Sequence, residues 1–152
     1  MDDSKTTLNL GCGDNALAGA VNHDRCPFAS HIDVCHDLDI IPWPWGANSF
    51  DRIVAIDVLE HLRSFLAFFD ECWRILRPGG MAEVRVPRWD HVNTVIDPTH
   101  LRGYHPESFD YLDPSTQWGR KYAMYTPHKW TKVAVQDQGD NIVAVLQVRK
   151  DG

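Results

Sequence analysis

Short apolar runs alternate along the chain with a longer helical period, and glycine, proline and asparagine separate them. The run Thr6-Thr7-Leu8-Asn9-Leu10 reads as a strand stopped by Gly11-Cys12-Gly13-Asp14-Asn15, a turn that needs unusual backbone angles. Ala20 to His23 and Ile32 to Cys35 are two further short strand candidates. Pro42, Trp43, Pro44, Trp45, Gly46 and Asn48 punctuate the chain before the mostly apolar Asp51 to Ile56, a strand of buried type. Leu62, Phe65, Leu66, Phe69, Trp73 and Leu76 recur at helical spacing on one face, and Pro78-Gly79-Gly80 is expected to end that helix. Met81 to Val86 alternates as a strand and stops at Pro87. The stretch from Arg88 to Arg120 carries little periodicity beyond a short helix over Pro106 to Leu112. Lys132 to Gln136 and Ile142 to Val148 flank Gln138-Gly139-Asp140-Asn141 as an antiparallel hairpin.

Strands followed by helices imply parallel pairing through right-handed crossovers, so the fold class is α/β: an open, mostly parallel sheet with helices on both faces and a C-terminal antiparallel hairpin. In such sheets ligands bind outside the carboxyl ends of the strands, where strand order reverses. The turn after the first strand is therefore the place to look for a site.

With 152 residues the chain is expected to form one domain over 1–152. An apolar share of 43% disfavours disorder, and a formal charge of -6 argues against a nucleic-acid partner held by phosphate neutralisation. Neither a cationic leader nor an apolar run of the roughly 20 residues that span a bilayer is present, so a cytoplasmic protein without a membrane partner is expected. Cys12, Cys26, Cys35 and Cys72 form no C-x-x-C pair, which points to reduced thiols.

Two glycines in Gly11-Cys12-Gly13 let the backbone approach a ligand without a Cβ in the way, although the pattern alone also fits a plain tight turn. Asp24, at the end of the second strand candidate, could accept both hydrogen bonds of a ribose diol. From here the residues resemble a known family. Leu8 to Asp14 and Gly19 to Asp24 look like the first motifs of the small class I S-adenosylmethionine-dependent methyltransferases, type 11-like. The resemblance continues through His36-Asp37-Leu38, Asn48-Ser49-Phe50-Asp51, Val58-Leu59-Glu60-His61-Leu62 and Arg74 to Gly80 in the family's order.

The resemblance implies a Rossmann-like sheet, S-adenosylmethionine as cofactor and methyl transfer as the reaction. It places Gly11, Cys12 and Gly13 at the methionine part of the cofactor, Asp24 on the ribose hydroxyls, Asp37 and Leu38 at the adenine, and Asp57 near the amino group. Asp57 could equally cap a helix beginning at Val58. The interval from Gly13 to Asp24 is too short for a full helix, so the first crossover is expected to be abbreviated. Because the chain starts at the first strand, no N-terminal cap over the site is expected, and another segment or a partner, a homodimer mate included, would supply the lid.

The acceptor could be a small molecule, a sugar or lipid precursor, or a protein. For a hydroxyl acceptor, His100 could take the proton with Asp97 as its orienter, against the alternative of a plain turn histidine. His23, Cys26, His31, Cys35 and His36 crowd together in sequence, but their spacing matches no standard zinc site and no metal is expected. Trp43 and Trp45 either cover a cofactor edge or pack on the sheet. A catalytically silent S-adenosylmethionine-binding subunit that needs a partner is the alternative to an enzyme.

Overall fold

In the computed structural model, which describes residues 6–150, the first apolar run forms β1 (Thr7–Leu10). Strand alternation buries Leu8 and Leu10 completely on one face and turns Asn9 to the other. β2 (Val21–Asp24), β3 (Val34–Cys35), β4 (Phe50–Ile56), α1 (Phe65–Ile75) and β5 (Leu76–Pro87) follow. Two short helices, α2 (Asn93–Ile96) and α3 (Gln117–Lys121), precede the hairpin β6 (Trp130–Asp137) and β7 (Asn141–Val148). Tight 3-10 turns occupy Leu59–His61, Pro106–Leu112 and Ala123–Tyr125. The seven strands form one sheet in the order β3-β2-β1-β4-β5-β7-β6. Pairing is parallel from β3 through β5 and antiparallel at β7 and β6. This is the expected open, mostly parallel Rossmann-like order with a terminal antiparallel hairpin, and strand order reverses between β1 and β4.

α1 begins at Ser64, whose side chain accepts a hydrogen bond from the Ala67 amide at 3.0 Å. Its buried positions are Phe68, Phe69, Glu71, Cys72 and Ile75 rather than the stripe expected from Leu62 to Leu76. Phe69 is on both, while Phe65, Leu66 and Trp73 are only half-buried. The helix stops before Pro78-Gly79-Gly80, because Leu76 already pairs with Phe50 as the first residue of β5. Phe69 packs against Phe109 and Trp130 with ring centroids 6.2 and 5.6 Å apart, joining α1, the Pro106–Leu112 turn and β6 into one core.

The first crossover, residues 11–20, contains no helix, as its length predicts. A buried asparagine pair does the work of one. Asn9 Nδ2 donates to Asn22 Oδ1 and to the Asn15 carbonyl, each at 3.0 Å, and Asn22 Oδ1 also accepts from the Leu17 amide at 2.9 Å. Right-handed connections that run outward from β1 lie on the face opposite α1, and those running toward β5 lie on the α1 face. The two connections on the outward side are both abbreviated. Residues 11–20 and 25–33, which connect β1 to β2 and β2 to β3, hold no helix.

Trp43, 2% exposed, packs on Phe68, and Trp45 packs edge-on to His23 and Phe50, so both tryptophans are core rather than a cofactor cover. The expectation of no N-terminal cap falls on residues 1–5, which lie outside the described residues. No helix among the described residues is long and apolar enough to cross a membrane.

Candidate functional site

The turn after β1 is built around two left-handed glycines, Gly11 at φ +56° and Gly13 at φ +52°. A Cβ at Gly11 would stand 2.5 Å from Val58 Cγ2, so the turn passes against the segment leaving β4 at a distance only glycine permits. The Gly13 amide donates to Asp24 Oδ2 at 2.8 Å, and Asp24 Oδ1 accepts from the Arg25 amide at 2.6 Å. Asp24 is thus held by backbone amides on both oxygens, with lone pairs left over for a ligand. His23, 1% exposed, accepts the Gly11 amide hydrogen at Nδ1 over 3.1 Å, which puts its own proton on Nε2, where it donates to the His36 carbonyl at 2.8 Å. Burial pushes the pKa of His23 down.

A cavity of about 390 Å³ opens at the carboxyl ends of β1, β2 and β4, and Gly11, Asp24, Asp37, Leu38 and Asp57 all line it. Five of the seven residues expected at a cofactor therefore converge. Cys12 and Gly13 do not line it. The Cys12 side chain is buried, its thiol points to the Gly13 carbonyl at 3.5 Å, and burial raises its pKa; Gly13 acts through its amide on Asp24. Asp57 does not cap a helix, since the Leu59–His61 turn starts from Val58 without a side-chain cap. Instead Asp57, at φ +59°, holds Arg85 through two hydrogen bonds, one of them from Nε to Oδ1 at 3.1 Å.

Asp57 and His61 also line a second cleft of about 390 Å³, formed with Glu60, Asn93, Asp97 and His100. The two residues expected to act on an acceptor lie here. Asp97 Oδ2 is 3.6 Å from His100 Nε2, too far for a good hydrogen bond, while His100 Nδ1 sits 3.2 Å from the Thr94 carbonyl. The carbonyl is thus the closer orienter of the ring. Asp97 Oδ1 takes the Thr99 amide and hydroxyl at 2.8 and 2.7 Å, and these bonds, the hydroxyl first, hold its pKa down. Glu60, which sequence reasoning passed over, is 1% exposed; burial raises its pKa to about 7, and its Oε2 has no hydrogen-bond partner among the described residues.

His23, His31 and His36 each spend a ring nitrogen on a backbone carbonyl, of His36, Gly13 and Ile40 respectively. They do not gather with Cys26 and Cys35. Three donors do gather elsewhere: Glu60, His61 and His100 each place one donor atom within 4.8 Å of the others. Glu60 and His61 sit in the motif Val58-Leu59-Glu60-His61-Leu62, which was the available signal, but His100 is brought to them only by the fold.

Residues 8–84, half of the chain, match the family model described as a methyltransferase domain. The chain belongs to that methyltransferase-domain family. A Mycolicibacterium smegmatis protein described as a probable S-adenosylmethionine-dependent methyltransferase is 34% identical over 87 residues, which is 54% of this chain and 33% of that protein. The chain thus spans about a third of the length of this curated relative. Its fold matches that of a SAM-dependent methyltransferase from Archaeoglobus fulgidus, with a TM-score of 0.66 at 14% identity over 95% of this chain and 86% of the other. It also matches the N-methyltransferase NodS of Bradyrhizobium japonicum, solved with S-adenosyl-L-homocysteine, with a TM-score of 0.58 at 19% identity over 95% and 78% of the two chains.

Proposed function

We propose that the chain binds S-adenosylmethionine in the cavity at the carboxyl ends of β1, β2 and β4 and passes its methyl group to an acceptor seated in the adjoining cleft. The observation that carries this reading is that Gly11, Asp24, Asp37, Leu38 and Asp57 line one cavity at the point where strand order reverses. Gly11 and Gly13 shape the turn against the methionine end, and Asp24 takes the ribose hydroxyls with the lone pairs its two amide bonds leave free. Leu38 and Asp37 border the adenine. Asp57, paired with Arg85, faces the ammonium and sulfonium charges. Membership of a methyltransferase-domain family and the S-adenosyl-L-homocysteine bound by the Bradyrhizobium protein support the choice of cofactor.

Methyl transfer is an in-line displacement on a carbon already activated by the sulfonium, so the chief demand on the protein is to hold the acceptor in line. The cleft that shares Asp57 and His61 with the cofactor cavity is placed for this, and its polar lining suits a hydroxyl- or amine-bearing acceptor. His100 and Asp97 line it where the acceptor's proton would leave.

Calorimetric titration of the full chain with S-adenosylmethionine tests the reading. The wild-type chain should bind, and Asp24→Ala should weaken binding by tenfold or more, since hydrogen bonds to a charged partner contribute about 1.5–3 kcal/mol. Asp24→Asn, which keeps an acceptor for the Gly13 amide, should bind with intermediate affinity. A folded wild-type chain that binds no S-adenosylmethionine would defeat the proposal.

A further inference from the structure

His100 can give its free lone pair to a proton or to a cation, and two neighbours bear on the choice. His100 Nδ1 donates to the Thr94 carbonyl at 3.2 Å, so Nε2 is unprotonated in the neutral ring, and it faces Asp97 Oδ2 at 3.6 Å and Glu60 Oε1 at 3.9 Å. His61 reaches the same state by another route. Thr99 has one hydroxyl hydrogen and donates it to Asp97 Oδ1 at 2.7 Å, so its oxygen accepts from His61 Nδ1 at 2.9 Å and leaves His61 Nε2 with a lone pair. The two rings meet edge to face with centroids 4.7 Å apart.

Glu60 completes the group. Its side chain is 1% exposed, its Oε2 has no hydrogen-bond partner among the described residues, and its Oε1 stops short of bonding distance to His100. A buried carboxylate oxygen without a donor is costly, and a network of ordinary hydrogen bonds would have closed these gaps. The donors instead stand apart from one another, within 4.8 Å. Ligands sharing one ion at about 2.0–2.2 Å lie about 3–4 Å apart, so small side-chain rotations would bring these three onto a common centre.

We propose that Glu60, His61 and His100 form a binding site for one divalent first-row transition-metal cation. Two imidazoles and a carboxylate are the donor set that suits Zn²⁺, Co²⁺ or Fe²⁺ rather than the all-oxygen shells of Ca²⁺ and Mg²⁺. The Thr94 carbonyl and the Thr99–Asp97 pair hold the outer ring nitrogens by hydrogen bonds, as the polar partners of metal-bound histidines do. The site opens on the acceptor cleft, and His61 also borders the cofactor cavity, so an acceptor oxygen completing the coordination would lie beside the cofactor. This assignment runs against the sequence-based expectation of no metal and does not depend on the methyl-transfer reading, because its test needs neither cofactor nor acceptor.

The test is titration of the untagged full chain, stripped with chelator, with Co²⁺ followed by visible absorption and by equilibrium dialysis. One Co²⁺ per chain should bind, with ligand-field bands of a nitrogen- and oxygen-coordinated ion that Zn²⁺ abolishes. His61→Ala and His100→Ala should each weaken binding by tenfold or more, while His105→Ala, at an exposed histidine outside the cleft, should bind as the wild type does. Glu60→Gln should lose the bands; should it fail to fold, the two histidine variants alone decide. Absence of stoichiometric Co²⁺ from a folded wild-type chain, or undiminished binding in both histidine variants, would overturn the proposal.

Discussion

His23 Nδ1 accepts the Gly11 amide hydrogen at 3.1 Å, so the imidazole at the end of β2 holds the turn at the end of β1. The bond exists only while Nδ1 is unprotonated. Burial lowers the pKa of His23 below its ordinary 6.5, and a depressed folded-state pKa contributes stability that is present above the unfolded value and lost as pH falls. The melting temperature should therefore drop as the solution is acidified below about pH 6.5, and His23→Gln, less stable at neutral pH, should show a shallower decline between about pH 8 and 5. Parallel slopes for the two proteins would exclude His23 as the group responsible.

Gly11→Ala combines a left-handed residue with a Cβ placed 2.5 Å from Val58 Cγ2. The backbone alone should cost about 1–2 kcal/mol. Adding Val58→Ala should recover the steric part but not the backbone part, a division that thermal denaturation of the single and double variants can measure.

Asn22→Ala removes the acceptor of the Asn9 amide and of the Leu17 amide in one step. We expect a loss of about 1–3 kcal/mol, with hydrogen exchange accelerating first in residues 11–20. Uniform acceleration across the sheet would show that the asparagine pair supports the whole fold rather than this crossover.

Phe69→Ala empties the position where α1, the Pro106–Leu112 turn and β6 meet. Urea unfolding should register a loss of about 3–5 kcal/mol. Trp73→Ala, on the same helix but half-buried, should cost less.

The alternation of apolar and polar residues made the later strands legible, because β7 alternates along its whole length and β5 from Gly80 to Val86, whereas β4 buries Ile53, Val54 and Ala55 in a row and was legible as an apolar run. The face of α1 was harder to read. Cys72 and Ile75 are buried while the more conspicuous Trp73 is not, since its ring lies beside His128 and its indole nitrogen donates to the Lys129 carbonyl. Gly11, Asp24, Asp37, Leu38 and Asp57 were found through their order along the chain, which follows a known pattern. Glu60 was not: it sits inside the motif Val58-Leu59-Glu60-His61-Leu62 without being singled out, and the return of the chain, with the Leu101 amide on the Glu60 carbonyl at 2.8 Å, packs beside it. The role of His23 had no sequence signal either, because nothing in a four-residue strand tells which nitrogen will face a glycine amide.

The helix-free first crossover has an electrostatic result. Where a helix follows the first strand of a dinucleotide fold, its amino end offers the positive pole on which a pyrophosphate rests. Here residues 11–20 supply no such pole, and the cavity meets its ligand with the carboxylates of Asp24, Asp37, Asp39 and Asp57 against the guanidinium of Arg25, which stands 3.9 Å from Asp37. A nucleoside entering it would be selected by charge: one carrying a sulfonium and an ammonium would be drawn in, and one carrying phosphates would be turned away.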